Sequence, residues 1–260
     1  MRRTMILAAF AAILTLTTAP AMAIMYPTAP VTFGPGTAGE GSLQDVLNSI
    51  TVAPTAGVSS VNTATDAIRD DLDSYWSISG SSQSAATMII ELSAWKDQTS
   101  FGVFDMFNPL SRVEIFSGAD APGIANGGLK NLVIDADGKV YVNYVLQGTF
   151  VGNAFGYYIT TPQQNTWYSD TDLNADEFDH MLVYQGKNID SVQIAGLSKG
   201  LWTNNEFILA FEDQWGGGDG DWQDLVLMVE SVVPVPVPGA VLLGVLGLGA
   251  AGMRLRKRQS

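Results

Sequence analysis

Two short stretches of the chain concentrate oxygen donors. One runs Ser169-Asp170-Thr171-Asp172-Leu173-Asn174-Ala175-Asp176-Glu177-Phe178-Asp179-His180. The other runs Phe211-Glu212-Asp213-Gln214-Trp215-Gly216-Gly217-Gly218-Asp219-Gly220-Asp221-Trp222-Gln223-Asp224. Carboxylates this dense repel one another unless water, protons or a cation intervene. The nearest cations in sequence are Lys187 and Lys199. A Ca2+ ion takes about 6–8 oxygen ligands, backbone carbonyls included, and would suit such a set. The glycines at 216, 217, 218 and 220 let the backbone turn tightly enough for successive acids to converge. Solvated loops without an ion are the competing reading. Asp170-x-Asp172-x-Asn174-x-Asp176 opens with EF-hand spacing, but Ala175 stands where Gly is needed and Met181 where Glu is needed, so an EF-hand is rejected.

Other chemistries are limited by what the chain lacks. There is no Cys, which removes thiol catalysis, disulfides and Cys-ligated metals. There is one His, His180, so a multi-histidine metal site is excluded. His180 precedes an apolar run and suits a hydrogen bond at a strand start better than a general base. A glycoside hydrolase would need paired carboxylates such as Glu212 and Asp224, one of them with a raised pKa. Acids crowded on a glycine loop fit an ion better, and no enzyme activity is expected. Trp76, Trp95, Trp167, Trp202, Trp215 and Trp222 are irregularly spaced and read mainly as packing residues. Trp202, Trp215 and Trp222 with the nearby acids are the candidate surface for a carbohydrate-binding module.

The elements that position these stretches read as β structure. Gly (27) and Pro (11) are plentiful, as turn-rich β proteins require. Ser42 caps a short helical pattern with Leu43, Val46, Leu47 and Ile50 at helix spacing. Strands are expected at 85–92, 101–104, 112–116, 149–160, 180–184, 207–212 and 225–230, with Asn108-Pro109 as a turn and Gly152 and Gly156 as bends. Residues 129–145 predict a hairpin with Asp137-Gly138 as a two-residue turn of the primed type. The expected fold is all-β, an antiparallel β-sandwich, jelly-roll-like, with a short N-terminal helix.

Charge divides the chain. Net charge is −13, which argues against a nucleic-acid partner. Six of the 13 cations lie at the two ends, and no acid lies before Glu40 or after Glu230. Arg2 and Arg3, an apolar run from Met5 to Leu16 and the small-x-small sequence Ala21-Met22-Ala23 predict a signal peptide over 1–23, cut after Ala23. Residues 24–41 read as a flexible leader and 42–231 as the body. At the other end, Val232 to Met253 carries no charge, and Arg254, Arg256, Lys257 and Arg258 follow. The positive-inside rule keeps that basic end cytoplasmic and the acidic body outside. The segment from Gly239 to Met253 predicts a transmembrane helix reaching only about 22 Å. Pro234, Pro236 and Pro238 favour an extended segment before it.

Those prolines, the Gly239-to-Gly244 stretch GAVLLG and the basic end resemble the PEP-CTERM sorting signal, with Val235 and Val237 as in its VPxP variants. The resemblance makes 232–260 a sorting tail read by exosortase. It implies signal peptidase and exosortase as partners during export through an inner membrane. It also implies transient anchoring through the C-terminal helix, then a cell-surface or extracellular location, often in an exopolysaccharide biofilm.

Asn174-Ala175-Asp176-Glu177-Phe178-Asp179-His180, then Leu209-Ala210-Phe211-Glu212-Asp213, then Gly217-Gly218-Asp219-Gly220-Asp221-Trp222-Gln223-Asp224-Leu225-Val226, resemble the acidic domain of unknown function 4114 over about 154–230. Glu177 stands where that family commonly has Gly. Carried over position by position, the resemblance marks Asp176, Asp179, His180, Glu212, Asp213, Asp219, Asp221 and Asp224. The carboxylates among them, Asp176, Asp179, Glu212, Asp213, Asp219, Asp221 and Asp224, are the expected metal ligands, with Ca2+ as the expected ion. The expected function is a non-enzymatic, Ca2+-stabilised structural or adhesive protein of the extracellular matrix. Extracellular polysaccharide is the candidate partner.

Overall fold

The computed structural model describes residues 41–79, 83–91 and 98–235. The expected signal peptide with Ala21 and Ala23, nearly all of the leader, Trp95, Pro236, Pro238 and the basic cluster Arg254, Arg256, Lys257 and Arg258 lie outside the described residues. Among the described residues no helix is long and apolar enough to cross a membrane.

Helix α1 (Leu43–Ile50) buries Leu43, Val46, Leu47 and Ile50 on one face. Ser42 and Asp45 cap it reciprocally. The Asp45 amide donates to Ser42 Oγ at 3.2 Å, and the Ser42 amide donates to the Asp45 carboxylate at 2.9 Å. There follow β1 (Thr51–Ala53), the single-turn α2 (Asp70–Asp73), β2 (Trp76–Ile78), β3 (Ser84–Glu91), β4 (Ser100–Asp105), β5 (Asn108–Phe116) and β6 (Leu129–Ile134). Next come β7 (Lys139–Val142), β8 (Val145–Thr149), β9 (Ala154–Thr160), β10 (Thr166–Tyr168), β11 (Met181–Gln185), β12 (Ser191–Val192) and β13 (Gly200–Leu201). The last are β14 (Glu206–Phe211), β15 (Leu225–Glu230) and β16 (Val232–Pro234).

The described chain is mostly β, and its strand pairs are antiparallel. A seven-stranded sheet has the order β11-β14-β15-β3-β6-β7-β8. A six-stranded sheet has the order β16-β2-β9-β4-β5, with β10 on β9, and a small sheet joins β1, β12 and β13. Side chains alternate across a strand, so β11, β14 and β15 serve two cores at once. Met181, Val183, Phe207, Leu209, Phe211, Leu225, Leu227 and Val229 meet Trp76, Phe101, Tyr157 and Trp167 of the six-stranded sheet. Leu182, Tyr184, Ile208, Ala210, Val226 and Met228 point the other way, onto the apolar face of α1 and onto Trp202 and Trp222. Burial on both faces explains why these strands read as unbroken apolar runs.

The hairpin over 129–145 departs from expectation. Gly138 alone takes positive φ near its turn, +77°, and its amide donates to the Asp135 carbonyl at 3.0 Å. The Asp135 carboxylate accepts from the Asp137 and Lys139 amides, each at 2.9 Å, which holds a wider turn than a two-residue one. The primed turn comes later, at Asn143 (φ +49°) and Tyr144 (φ +65°), between the paired Val142 and Val145. Asn108-Pro109 is not a turn. It opens β5, an edge strand of its sheet, where a proline costs no ladder bond. Gly156 is not a bend but lies inside β9, where a Cβ would sit 2.2 Å from the Phe104 ring. Val232, Val233 and Pro234, the first residues of the expected tail, pair with Ile78, Ser77 and Trp76 as the other edge of the same sheet.

Candidate metal centre

Strand register assembles the site. Met181 pairs with Phe211, and Phe211 pairs with Leu225. The residues just outside these pairs, His180, Glu212 and Asp224, therefore leave the sheet side by side. The Glu212 amide donates to the His180 carbonyl at 3.0 Å, and the Asp213 amide to Asp224 Oδ2 at 2.9 Å.

The chain between Glu212 and Asp224 then folds back on Glu212. Gly216, Gly217, Gly218 and Gly220 all have positive φ, as does Trp222 at +50°. Gly218 is constrained twice: its φ is +44°, and a Cβ there would lie 2.4 Å from Glu212 Oε1. The Gln214 amide donates to Glu212 Oε1 at 3.1 Å and the Gly220 amide to Glu212 Oε2 at 3.2 Å.

Two groups of carboxylates result, sharing Glu212. Glu212, Asp213 and Asp224 offer ligand oxygens within 4.8 Å of one another, and so do Glu212, Asp219 and Asp221. Glu212 (0 % exposed), Asp213 (1 %), Asp221 (3 %) and Asp224 (8 %) are buried, and Asp219 is partly so. Burial and the neighbouring acids raise the pKa values of Glu212 and Asp224. Gln223 adds an uncharged donor: its Nε2 donates to Asp221 Oδ2 at 2.8 Å, while its Oε1 is buried without a hydrogen-bond partner. These clustered, buried acidic residues could hold a metal ion, and the all-oxygen donor set is of the kind hard divalent cations take.

Five of the seven expected ligands thus converge: Glu212, Asp213, Asp219, Asp221 and Asp224. Asp176 and Asp179 belong to neither group. Asp176 Oδ2 accepts from the Gly216 amide at 2.7 Å and lies 3.0 Å from His180 Nε2. His180 is fully buried, with Nδ1 2.8 Å from the Glu212 carbonyl and its ring stacked on Trp167 at 3.9 Å. Burial lowers its pKa, against the upward pull of Glu212 and Asp176. The two ring nitrogens face the Glu212 carbonyl and the Asp176 carboxylate. A ring so engaged is a strut between the two acidic segments, with no nitrogen left for a substrate. Asp179 is directed elsewhere, accepting from the Met181 amide at 3.1 Å. Burial, then the charge of Asp70, pushes its pKa up to about 8.

The expected tryptophan surface does not form as a set. Trp202 (1 % exposed) and Trp222 (5 %) are core residues, while Trp215 is 61 % exposed beside the loop, edge-on to Trp167. Lys187 turns away to Asp66, at 2.6 Å. Sequence reasoning did not single out Gln223 or Asp73. Gln223 carried a signal in its place between Asp221 and Asp224, whereas Asp73 sits in the acidic run Asp70-Asp71-Leu72-Asp73 that resembles any solvated turn.

Residues 137–232 match the family model of a domain of unknown function, DUF4114. The match begins at the turn before β7 and ends at the first residue of β16, and it takes in both acidic segments. It does not contain the whole fold, because β15 pairs with β3 from outside it. No curated protein and no solved structure matches the chain.

Proposed function

We propose that this is an exported, exosortase-sorted protein of the cell surface or extracellular matrix. It is built on a jelly-roll-like β-sandwich, carries no enzyme activity, and is stabilised by Ca2+ in a structural or adhesive role within an exopolysaccharide biofilm. The observation that carries the calcium reading is the shared position of Glu212 in two buried carboxylate groups. A cation there would offset charges that otherwise carry a desolvation cost. It would also tie the ends of β14 and β15 to the glycine loop. Sealed ligands support a structural ion rather than one that meets a substrate, and the same burial argues against Glu212 and Asp224 as a hydrolase pair. The export reading rests on the two charged, apolar ends, with the acidic body between them leaving the cytoplasm.

Melting of the purified protein in Ca2+ and in EDTA tests the ion. Ca2+ raises the midpoint and EDTA lowers it; an unchanged midpoint removes calcium from the reading. A second reading, polysaccharide binding, is favoured by exposed Trp215 beside the loop. Trp215→Ala would then lose Ca2+-dependent retention on the matrix glycan without a change in melting.

A further inference from the structure

Gln223 sits at the Glu212 site with one end of its amide engaged and the other idle. It is 1 % exposed and lies just before β15, whose first residue, Leu225, pairs with Phe211. Gln223 engages both oxygens of Asp221: its main-chain amide donates to Oδ1 at 3.2 Å and its Nε2 to Oδ2 at 2.8 Å. Its Oε1 is buried and accepts no hydrogen bond. A buried carbonyl oxygen in that state is costly unless something electropositive faces it. Covalent geometry keeps Oε1 about 2.3 Å from Nε2, and so within about 5 Å of Asp221 Oδ2. Two oxygens on one Ca2+ stand at most about 5 Å apart, because each is about 2.3–2.6 Å from the ion. Asp221 in turn offers an oxygen within 4.8 Å of those of Glu212 and Asp219.

We propose that Gln223 is a ligand of the ion held by Glu212, Asp219 and Asp221, with Oε1 on the ion and Nε2 keeping the amide turned against Asp221. The inference rests on the calcium reading of this site and names a donor which that reading does not include. Three carboxylates already outweigh a divalent charge, and a fourth would add another buried charge. An amide oxygen fills a coordination position without that cost, and Ca2+ accepts such carbonyls beside carboxylates. The seat is firm. The Phe211–Leu225 pair fixes the chain two residues on, and the Nε2 bond fixes the amide, so Oε1 is set in place before an ion arrives.

The test measures Ca2+ uptake by the full-length chain in calorimetric titration. It also counts the waters left on bound Tb3+ from luminescence lifetimes in H2O and D2O. Gln223→Met keeps the bulk and removes the oxygen, so it should weaken Ca2+ uptake about tenfold and admit one more water to Tb3+. Gln223→Glu loses the Nε2 donor but keeps an oxygen in the same place, so its water count should match the wild type. A residue that only props Asp221 through Nε2 would behave the other way, with Gln223→Glu as damaging as Gln223→Met. The inference is overturned by that result, or by a Gln223→Met chain that equals the wild type in uptake and water count. In the latter case the calcium reading of Glu212 still stands, whereas a wild type that takes up no Ca2+ sinks both. Should Gln223→Met fail to fold, Gln223→Leu takes its place with the same expected outcomes.

Discussion

The two acidic segments have similar composition and opposite fates. Residues 170–180 scatter their carboxylates: Asp170 receives the Tyr75 hydroxyl, Asp176 faces His180, and Asp179 accepts from the Met181 amide. Residues 212–224 gather theirs around Glu212. The difference lies in the backbone. The second segment has four glycines at positive φ, which curl it onto itself, whereas the first has Ala175 and only Glu177, at φ +56°, in the left-handed region. Acid density alone does not make a site. The freedom of the intervening backbone and the register of the flanking strands do.

That contrast can be broken most directly at Glu212. Glu212→Gln removes the ligand common to both groups. It should abolish most of the Ca2+-dependent stabilisation, about 3 kcal/mol at saturating ion, read as the loss of the midpoint shift in calorimetry. Next comes the hinge. Gly218→Ala meets both the strained φ and the Glu212 carboxylate, so it should cost about 2 kcal/mol or more and weaken Ca2+ uptake. Gly216→Ala, with positive φ but open space around it, should cost about 1 kcal/mol and leave Ca2+ uptake intact. Equal effects at 216 and 218 would sink the hinge argument.

Stability against pH tests the buried acids of both segments. Folded Asp179 has its pKa raised from 3.8 to about 8, so between those values the folded protein keeps a proton that the unfolded chain releases. Stability in EDTA should therefore fall as pH rises through that window, since the folded state binds more protons there. The buried carboxylates Asp73 and Asp224 are raised too and act in the same direction. Saturating Ca2+ should remove the part of the slope that Asp224 supplies and leave that of Asp179, and melting midpoints across pH with and without the ion would show it. The smallest effect belongs to the strut. Asp176→Asn keeps one acceptor for the Gly216 amide but drops the charge beside His180, and it should cost about 1 kcal/mol with Ca2+ stoichiometry unchanged.

Much of the frame was legible in residue order. The Ser42 cap and the apolar spacing after it give α1, and the apolar runs give β11, β14 and β15. The glycine loop, too, announced its convergent acids. What misled were turns and short strands. Asp137-Gly138 has the composition of a primed turn, but the Asp135 side chain captures the amides and widens it. β2, β10 and β16, three residues each, carry too little pattern to be read without their partners. Asp176 and Asp179 match motif positions as the loop acids do, but sequence proximity carries no direction of side chain, and neither joins the Glu212 groups.

Residue order by itself determined the charge layout, the strand-rich character and the loop able to curl around Glu212, because each depends on residue type and local spacing. Only the tertiary structure decided that Glu212 stands beside Asp224, that Trp202 and Trp222 are buried while Trp215 is exposed, and that Asp73 is buried. Register between distant strands and the packing of α2 set those neighbours, and such contacts join residues whose separation along the chain leaves no local trace.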